Sequence, residues 1–467
     1  MKRPNIVFLL TDDQRFDTIA ALGNSQIKTP NMDALVCGGT SFDRAFIPGG
    51  TCPAVCMPSR AMIHTGRTLF HIDADGETIS PSHILLGEHL RNNGYDTYGI
   101  GKWHNGPESF TRSFVGGAEI FFGGMWDHWN VPAYSYQTDG RYDRQVPYVA
   151  DAFHSREVTM VRMDHINPGA HSTDLFTDAA CKWLTQRSDD RPFFLNVAYM
   201  APHDPRTMPR EFLDQYTPGH IDLPAAFRPE YEFDYGVSGI RDEVLASYPR
   251  TPDEVRKHIA EYYGMITHLD DSIGKVLDVL RSTGQWENTI VVLAGDNGLA
   301  IGQHGLFGKQ SAYDHSVRIP LVFHGQGIPA DQRVRDKCHL SDIFPTLCDL
   351  VGLPIPNSVE GRTLFPAARG ECIMIEDAYL YLAYGTLIRA VRGDQYKLIE
   401  YAGDNGRHTQ LFDLIDDPHE LRNLAGNPAS TSILKDLRWE LFRLRDETGD
   451  LLHPTGKVFW EAYENSQ

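Results

Sequence analysis

The chain has no hydrophobic run long enough to cross a membrane. The longest near its start, Ile6 to Leu10, falls far short of the roughly 20 residues a spanning helix needs. Met1, Lys2 and Arg3 resemble the basic start of an export signal, but the apolar run is too short and no small-residue cleavage site follows. The expectation is a soluble protein with no membrane partner, cytoplasmic as the sequence stands and periplasmic if a signal was removed. Basic residues are scarce: 43 Lys and Arg face 62 Asp and Glu, a net charge of −19. Such a surface repels nucleic acid and anionic lipid, so neither is expected as a partner. It also sets a condition: an anionic substrate needs a local cluster of Lys, Arg and His. Cysteines are few, seven in number, odd and without framework spacing, which excludes a disulfide scaffold. No Asn-x-Ser/Thr acceptor occurs, which disfavours a glycosylated secretory origin. What remains is an ordinary globular composition, 41% hydrophobic and 22% charged, which rules out disorder, a collagen-like chain and a coiled coil. At 467 residues the expectation is a main domain with a satellite.

Short apolar runs with carboxylates or histidines just past their ends organise the first part. Residues 5–10 lead into Thr11-Asp12-Asp13, 193–199 into Ala201-Pro202-His203, and 289–294 into Gly295-Asp296-Asn297-Gly298. Buried parallel strands read this way, and their carboxyl ends are where α/β folds place chemistry. A fourth run covers Pro320 to Phe323, and helical spacing is clearest over 260–281. The pattern predicts an α/β fold with a large, mostly parallel sheet flanked by helices. Pro, Gly and Arg over 352–370 suggest a boundary, giving a catalytic domain at 1–365 and a C-terminal α+β subdomain at 366–467. In the latter, strands are expected at 378–387, 388–392, 397–401 and 410–414, and a helix at about 430–447.

The chemistry concentrates in Cys56-Met-Pro-Ser-Arg60, continuing to Thr65-Gly66-Arg67. Alone, Cys52 and Cys56 suggest paired metal thiolates, but no second Cys/His pair completes a zinc site. Cys-x-Pro-Ser-Arg followed by Thr-Gly-Arg resembles the signature of the formylglycine-dependent sulfatases of the alkaline phosphatase superfamily. In that family a dedicated maturation enzyme, which would be a partner here, oxidises the cysteine to an aldehyde that hydrates to a gem-diol. Alone, Asp12-Asp13 reads as a helix cap and Asp296-Asn297-Gly298 as a turn. The resemblance makes Asp12, Asp13, Asp296 and Asn297, with the modified Cys56, the metal ligands. Oxygen donors of this kind select Ca²⁺ or Mg²⁺. Gly101-Lys102-Trp103-His104, Ala201-Pro202-His203 and His304-Gly305-Leu306-Phe307-Gly308-Lys309 are similar to the family's remaining segments. Asn105 and Asp314-His315 depart from the family pattern, and substrate choice is the role expected of them.

The resemblance implies a sulfate monoester hydrolase. One diol hydroxyl at position 56, held by the metal, attacks sulfur to give a covalent sulfate ester. Lys102 and Lys309 hold the sulfate oxygens, and His203, with Lys309, protonates the departing alcohol. Arg60 orients the diol, and His104 takes a proton from its second hydroxyl so that sulfate is expelled. The expected substrate is a sulfated small molecule or oligosaccharide, with exo action on a short glycan such as a glycosaminoglycan or algal polysaccharide fragment. An aryl sulfatase, or a phosphonate or phosphate monoester hydrolase of the same superfamily, is the alternative. Residues 110–148 hold ten aromatics, which fit either a packed loop or a wall stacking on a sugar ring. Nothing in the sequence sets an oligomeric state.

Overall fold

In the computed structural model, which describes residues 3–149, 151, 153–368, 379–403 and 406–465, the first part of the chain builds an eight-stranded sheet. Its spatial order is Gln332–Val334, Thr40–Phe42, Leu321–His324, Thr289–Gly295, Asn5–Thr11, Phe193–Ala198, Asp96–Lys102 and Gly116–Phe121. The last five of these run parallel. The fourth apolar run reverses direction: Leu321–His324 is antiparallel to both its neighbours. Residues 296–317 stay at the carboxyl edge of the sheet, so the chain re-enters from that edge.

The central strands are continuous apolar runs because both faces are covered. In Asn5–Thr11, Ile6, Phe8 and Leu10 enter one core while Val7 and Leu9 enter the other. Each such side chain contributes about 1.5–3 kcal/mol by leaving water. Helices Ser172–Gln186 and Pro252–Ser282 cover one face through Phe176, Ala180, Ile266 and Leu269. The longer one begins ahead of the expected span, where Pro252 occupies the first turn and the Thr251 side chain accepts from the Glu254 N–H. Helices Cys56–Thr65, Leu86–Asn92 and Ile343–Leu350 cover the other face through Ile63, Leu86, Leu90, Phe344 and Leu347.

Beyond residue 379, Leu380–Tyr384, Ile388–Arg392, Tyr396–Tyr401 and His408–Asp413 form an antiparallel sheet. Ala378, where the first of these strands was expected to begin, lies outside the described residues. Helix Thr431–Glu447 packs on this sheet, together with a further helix, Pro454–Asn465, that the sequence reading omitted. The sheet also takes in Gly49–Gly50, which pairs parallel with Leu380–Tyr384. Gly49 has φ +102°, and a Cβ there would lie 2.0 Å from the Ala383 carbonyl oxygen, so only glycine fits. The segment leading to Cys56 is thus anchored on the C-terminal sheet. Among the described residues no helix is long and apolar enough to cross a membrane.

Candidate active site

Four adjacent strands deliver their end residues to one edge. Register pairs Thr11 with Gly295, so Asp12-Asp13 and Asp296-Asn297 emerge side by side. The next strand out leads to His203, and the Asp12 N–H donates to the Ala201 carbonyl at 3.1 Å. The strand beyond ends on Lys102 itself, followed by His104. Asp13 and His104 have φ of 62° and 67°, a left-handed conformation that costs non-glycine residues energy and concentrates at functional sites. Facing this edge is the start of helix Cys56–Thr65. Arg60 follows Cys56 by one helical turn, on the same face. The helix stops at Gly66, which is left-handed at φ 66°, while Arg67 pairs with Glu360 at 2.9 Å. The second half of the cysteine signature is therefore a helix terminator.

The structure brings every expected site residue into one buried cluster. Cys56 Sγ lies 3.5 Å from both Lys102 Nζ and His104 Nδ1. Lys102 Nζ also donates to Asp12. Arg60 donates from Nε to Asp296 at 2.8 Å and from Nη1 to the Lys102 carbonyl at 2.6 Å. Lys309 Nζ reaches Asp13 Oδ1 at 2.6 Å, and Asn297 Nδ2 donates to the same oxygen at 2.7 Å. His203 donates from Nδ1 to the Asp204 carbonyl at 2.8 Å, and its Nε2 lies 3.6 Å from Asp13 Oδ2.

Burial pushes the Cys56 thiol up, against the pull of Lys102 and Lys309. Burial, then Lys102 and Arg60, hold His104 well below its ordinary range, so it is a neutral acceptor. Burial opposes the charge of Lys309, but Asp13 and its other anionic neighbours outweigh it and hold the ammonium well above its usual value. The Asp296 carboxyl is pushed up to about 7, by burial first and then by Asp12. Crowded acids in a dry site are what a cation relieves.

Ligand atoms of Asp12, Cys56 and Asp296 lie within 4.8 Å of one another, as do those of Asp12, Asp13 and His203. Asp12 Oδ1 and Asn297 Oδ1 are buried without a hydrogen-bond partner, an unfavourable state that a cation between them would resolve. The donors therefore fit a hard divalent metal. A third cluster, His171, Asp174 and His268, does not. Both His171 nitrogens are taken, by the Thr207 carbonyl at 2.9 Å and the Thr173 N–H at 3.2 Å.

A cavity of about 330 Å³ opens beside Cys56, His104, His203 and Lys309, and its other side includes Arg241 and Asp242. Neither of these last two was anticipated, for they sit on a short 3₁₀ turn, Arg241–Leu245, in a stretch without periodicity. Asp204 went unremarked as well, although it directly follows His203. Of the two readings left open for 110–148, the packed loop is the one that its Phe residues follow. Phe110, Phe114 and Phe122 pack among Trp103, Tyr134 and Tyr142, and from this segment only Gly124 and Met125 line the cavity. Asn105 and Asp314 do not line it either. Asn105 Nδ2 donates to the Met57 and Gly76 carbonyls at 3.0 and 2.6 Å. Asp314 is consumed by Arg392 at 3.1 Å and Lys397 at 2.6 Å, a buried link to the C-terminal sheet.

A mostly parallel sheet presenting such an edge is the architecture of the alkaline phosphatase superfamily hydrolases. The phosphonate monoester hydrolase of Agrobacterium radiobacter superposes with a TM-score of 0.74 at 23% identity, over 96% of each chain. Within that superfamily the family profile "Sulfatase" matches residues 4–353, so the chain belongs to the sulfatase family, enzymes that hydrolyse sulfuric esters. A second profile, "N-sulphoglucosamine sulphohydrolase, C-terminal", matches residues 302–447. The chain is 29% identical to the multifunctional alkaline phosphatase superfamily protein PehA of Trinickia caryophylli, over 94% of this chain and 96% of that one. It is 26% identical to the N-acetylglucosamine-6-O-sulfatase of Bacteroides thetaiotaomicron, over 96% and 86% respectively.

Proposed function

We propose that the protein hydrolyses the sulfate monoester of a carbohydrate, acting at the end of a short glycan. The nucleophile is a formylglycine made from Cys56 by a maturation enzyme, and the metal is Ca²⁺ or Mg²⁺, held by Asp12, Asp13, Asp296 and Asn297. The observation that carries this reading is the setting of Cys56. Its sulfur touches one ammonium and one neutral imidazole beside two carboxylates and an orphaned amide oxygen. As an unmodified, neutral thiol it is a poor nucleophile. The hydrated aldehyde supplies the hydroxyl pair that the thiol lacks, and a bound divalent cation supplies charge compensation and acidifies a hydroxyl beside it.

The chain's own residues supply the rest. Lys102 and Lys309 bind sulfate oxygens, placing cations where negative charge accumulates. Arg60, fixed by Asp296 and the Lys102 carbonyl, orients residue 56. His104, kept neutral by burial and by Lys102 and Arg60, has a lone pair available and receives the proton of the second hydroxyl. His203, anchored by its Nδ1 donation, gives a proton to the leaving oxygen. The carbohydrate assignment is supported by the name of the Bacteroides relative. A second reading, a phosphonate or phosphate monoesterase, is favoured by the match to PehA.

One experiment separates them. The matured enzyme is assayed on para-nitrophenyl sulfate, phosphate and phenylphosphonate, and the peptide carrying residue 56 is examined by mass spectrometry. The expected result is a modified residue 56 with sulfate turned over fastest. Full activity with unmodified cysteine would sink the nucleophile, and preference for phosphonate would establish the second reading.

A further inference from the structure

The cavity has a side that the sulfate chemistry does not use. It is built from Arg241 and Asp242, with Asp204 behind them. Arg241 is 41% exposed, whereas Asp204 and Asp242 are each 9% exposed. The guanidinium bridges both acids, donating from Nη1 to Asp204 Oδ2 at 2.6 Å, from Nη2 to Asp204 Oδ1 at 3.2 Å, and from Nη2 to Asp242 Oδ1. Gln310 Nε2 fixes the other Asp242 oxygen at 2.7 Å, and Gln310 also lines the cavity. Among the described residues the Arg241 Nε–H has no acceptor. Burial opposes the charge on Asp242, but Lys309 and Arg241 outweigh it and hold that carboxyl below its ordinary range.

Arg241 is thus shared between two acids, and the other cations facing them, Lys309 toward Asp242 and Arg206 toward Asp204, lie behind the wall or belong to the sulfate cluster. A second sulfate or carboxylate on the substrate would approach a guanidinium whose charge is already shared between two acids, and would lie beside both of them. Because the two carboxylates are each only 9% exposed, salt screens that repulsion less than it would between surface groups. Hydroxyl groups meet the same wall differently. They donate to the remaining lone pairs of Asp242 and accept from the free Nε–H, and hydrogen bonds to charged partners are the strong ones. Ile240 and Met125 complete this side and give apolar contact for ring C–H groups. At about 330 Å³ the cavity is at the small end for a ligand site and suits one sugar ring.

We propose that Arg241 and Asp242, braced by Asp204, form a subsite for an uncharged, hydroxyl-bearing sugar ring, and that this subsite selects singly sulfated rings against disulfated ones. The inference rests on the sulfatase reading above and adds the class of ring that the site accepts.

The test uses matured, metal-loaded enzyme with para-nitrophenyl sulfate as reporter. Competitors are the positional monosulfates of glucose and galactose and the disulfates that contain them, so a sugar need not be cleaved to be scored. The tightest competitor should be a monosulfate, with its disulfates weaker by about tenfold or more. In Asp242→Asn that gap should shrink to within about threefold. Arg241→Met, which keeps the length of the side chain, should weaken the monosulfates about tenfold more than it lowers kcat/KM for the aryl sulfate. It carries the test alone if Asp242→Asn does not fold. Disulfates binding as tightly as monosulfates, no competition by any sugar, or equal losses on sugar and aryl sulfate in Arg241→Met would overturn the subsite. Those results leave the sulfatase reading standing, because the reporter is still turned over. Absent aryl sulfate turnover beside phosphonate turnover would overturn the sulfatase reading, and the subsite with it.

Discussion

Under the proposed mechanism, position 56 separates two roles that a hydroxyl or thiol would combine. In the proposed mechanism a hydroxyl there can accept the sulfate that Lys102 and Lys309 would hold, but only a carbon bearing a second hydroxyl can expel it by collapsing to an aldehyde. Cys56→Ala should therefore abolish turnover. Cys56→Ser should accept sulfate once and stall, which intact-protein mass spectrometry reads as a retained sulfate; steady turnover by that variant would refute the elimination step. His203 is tested by its leaving group. General acid help matters most for a basic sugar alkoxide and least for an activated phenolate, so His203→Ala should lose more rate on a sugar sulfate than on para-nitrophenyl sulfate, by an additional factor on the order of 10². Equal losses would make His203 a sulfate ligand or a shaping residue. The residues of this cluster were legible because each sits in a short, dense motif, most of them at strand ends, Cys56 and Arg60 at a helix start and Lys309 in the stretch after Gly295. Arg241 and Asp242 were not, since a lone charged pair on an irregular turn carries no pattern. Their place at the cavity is set by contacts with Asp204 and Gln310 that are distant in sequence.

At the scale of elements, the central strands and the long helix followed from apolar runs and 3.6-residue spacing, which both report burial directly. Direction and pairing did not follow. The reversal of Leu321–His324 and the recruitment of Gly49–Gly50 depend on where intervening loops lie, not on local composition. The aromatics of 110–148 left two readings open, because packing and stacking against sugar require the same side chains. Element junctions also carry ionisable groups whose cost is measurable. Asp270, on helix Pro252–Ser282, accepts from the Met32 N–H at 2.7 Å and from the Asn31 N–H at 3.1 Å, capping helix Pro30–Gly38. Burial raises its carboxyl from 3.8 to about 6. The native state thus holds this proton more tightly than the unfolded chain. The resulting stability is full below the unfolded value near 4 and is lost as pH rises through about 6. Relative to Asp270→Asn, which does not titrate, the wild type should gain up to about 3 kcal/mol between pH 7 and pH 4. Denaturant unfolding across that range checks the slope, and a flat difference would mean that the ionised form is fully compensated by its donors.

For the whole molecule the governing fact is a net charge of −19 around a site that must bind an anion. Within the cluster Arg60, Lys102 and Lys309 are matched one for one by Asp296, Asp12 and Asp13, so the protein alone offers sulfate no net attraction there. A divalent cation changes that balance by two charges. Chelation should accordingly abolish turnover, Ca²⁺ or Mg²⁺ should restore it, and Asp296→Ala should resist rescue; restoration by Zn²⁺ alone would contradict the oxygen-donor assignment. Attraction of this kind is local, because beyond about 10 Å at moderate salt the site's field is screened, and what an approaching polyanion meets is an acidic surface. A short sulfated saccharide needs only the cavity. A long sulfated polymer must lay its remaining sulfates against that surface, and each is repelled. Sulfate release from an enzymatic di- and tetrasaccharide digest should therefore exceed release from the intact polysaccharide at equal sulfate concentration. The gap should be widest at low ionic strength and should narrow as salt is added, since screening weakens repulsion while the buried cluster is affected less. Comparable rates at low salt would show that a basic track leads away from the cavity, and end action on short glycans would have to be given up.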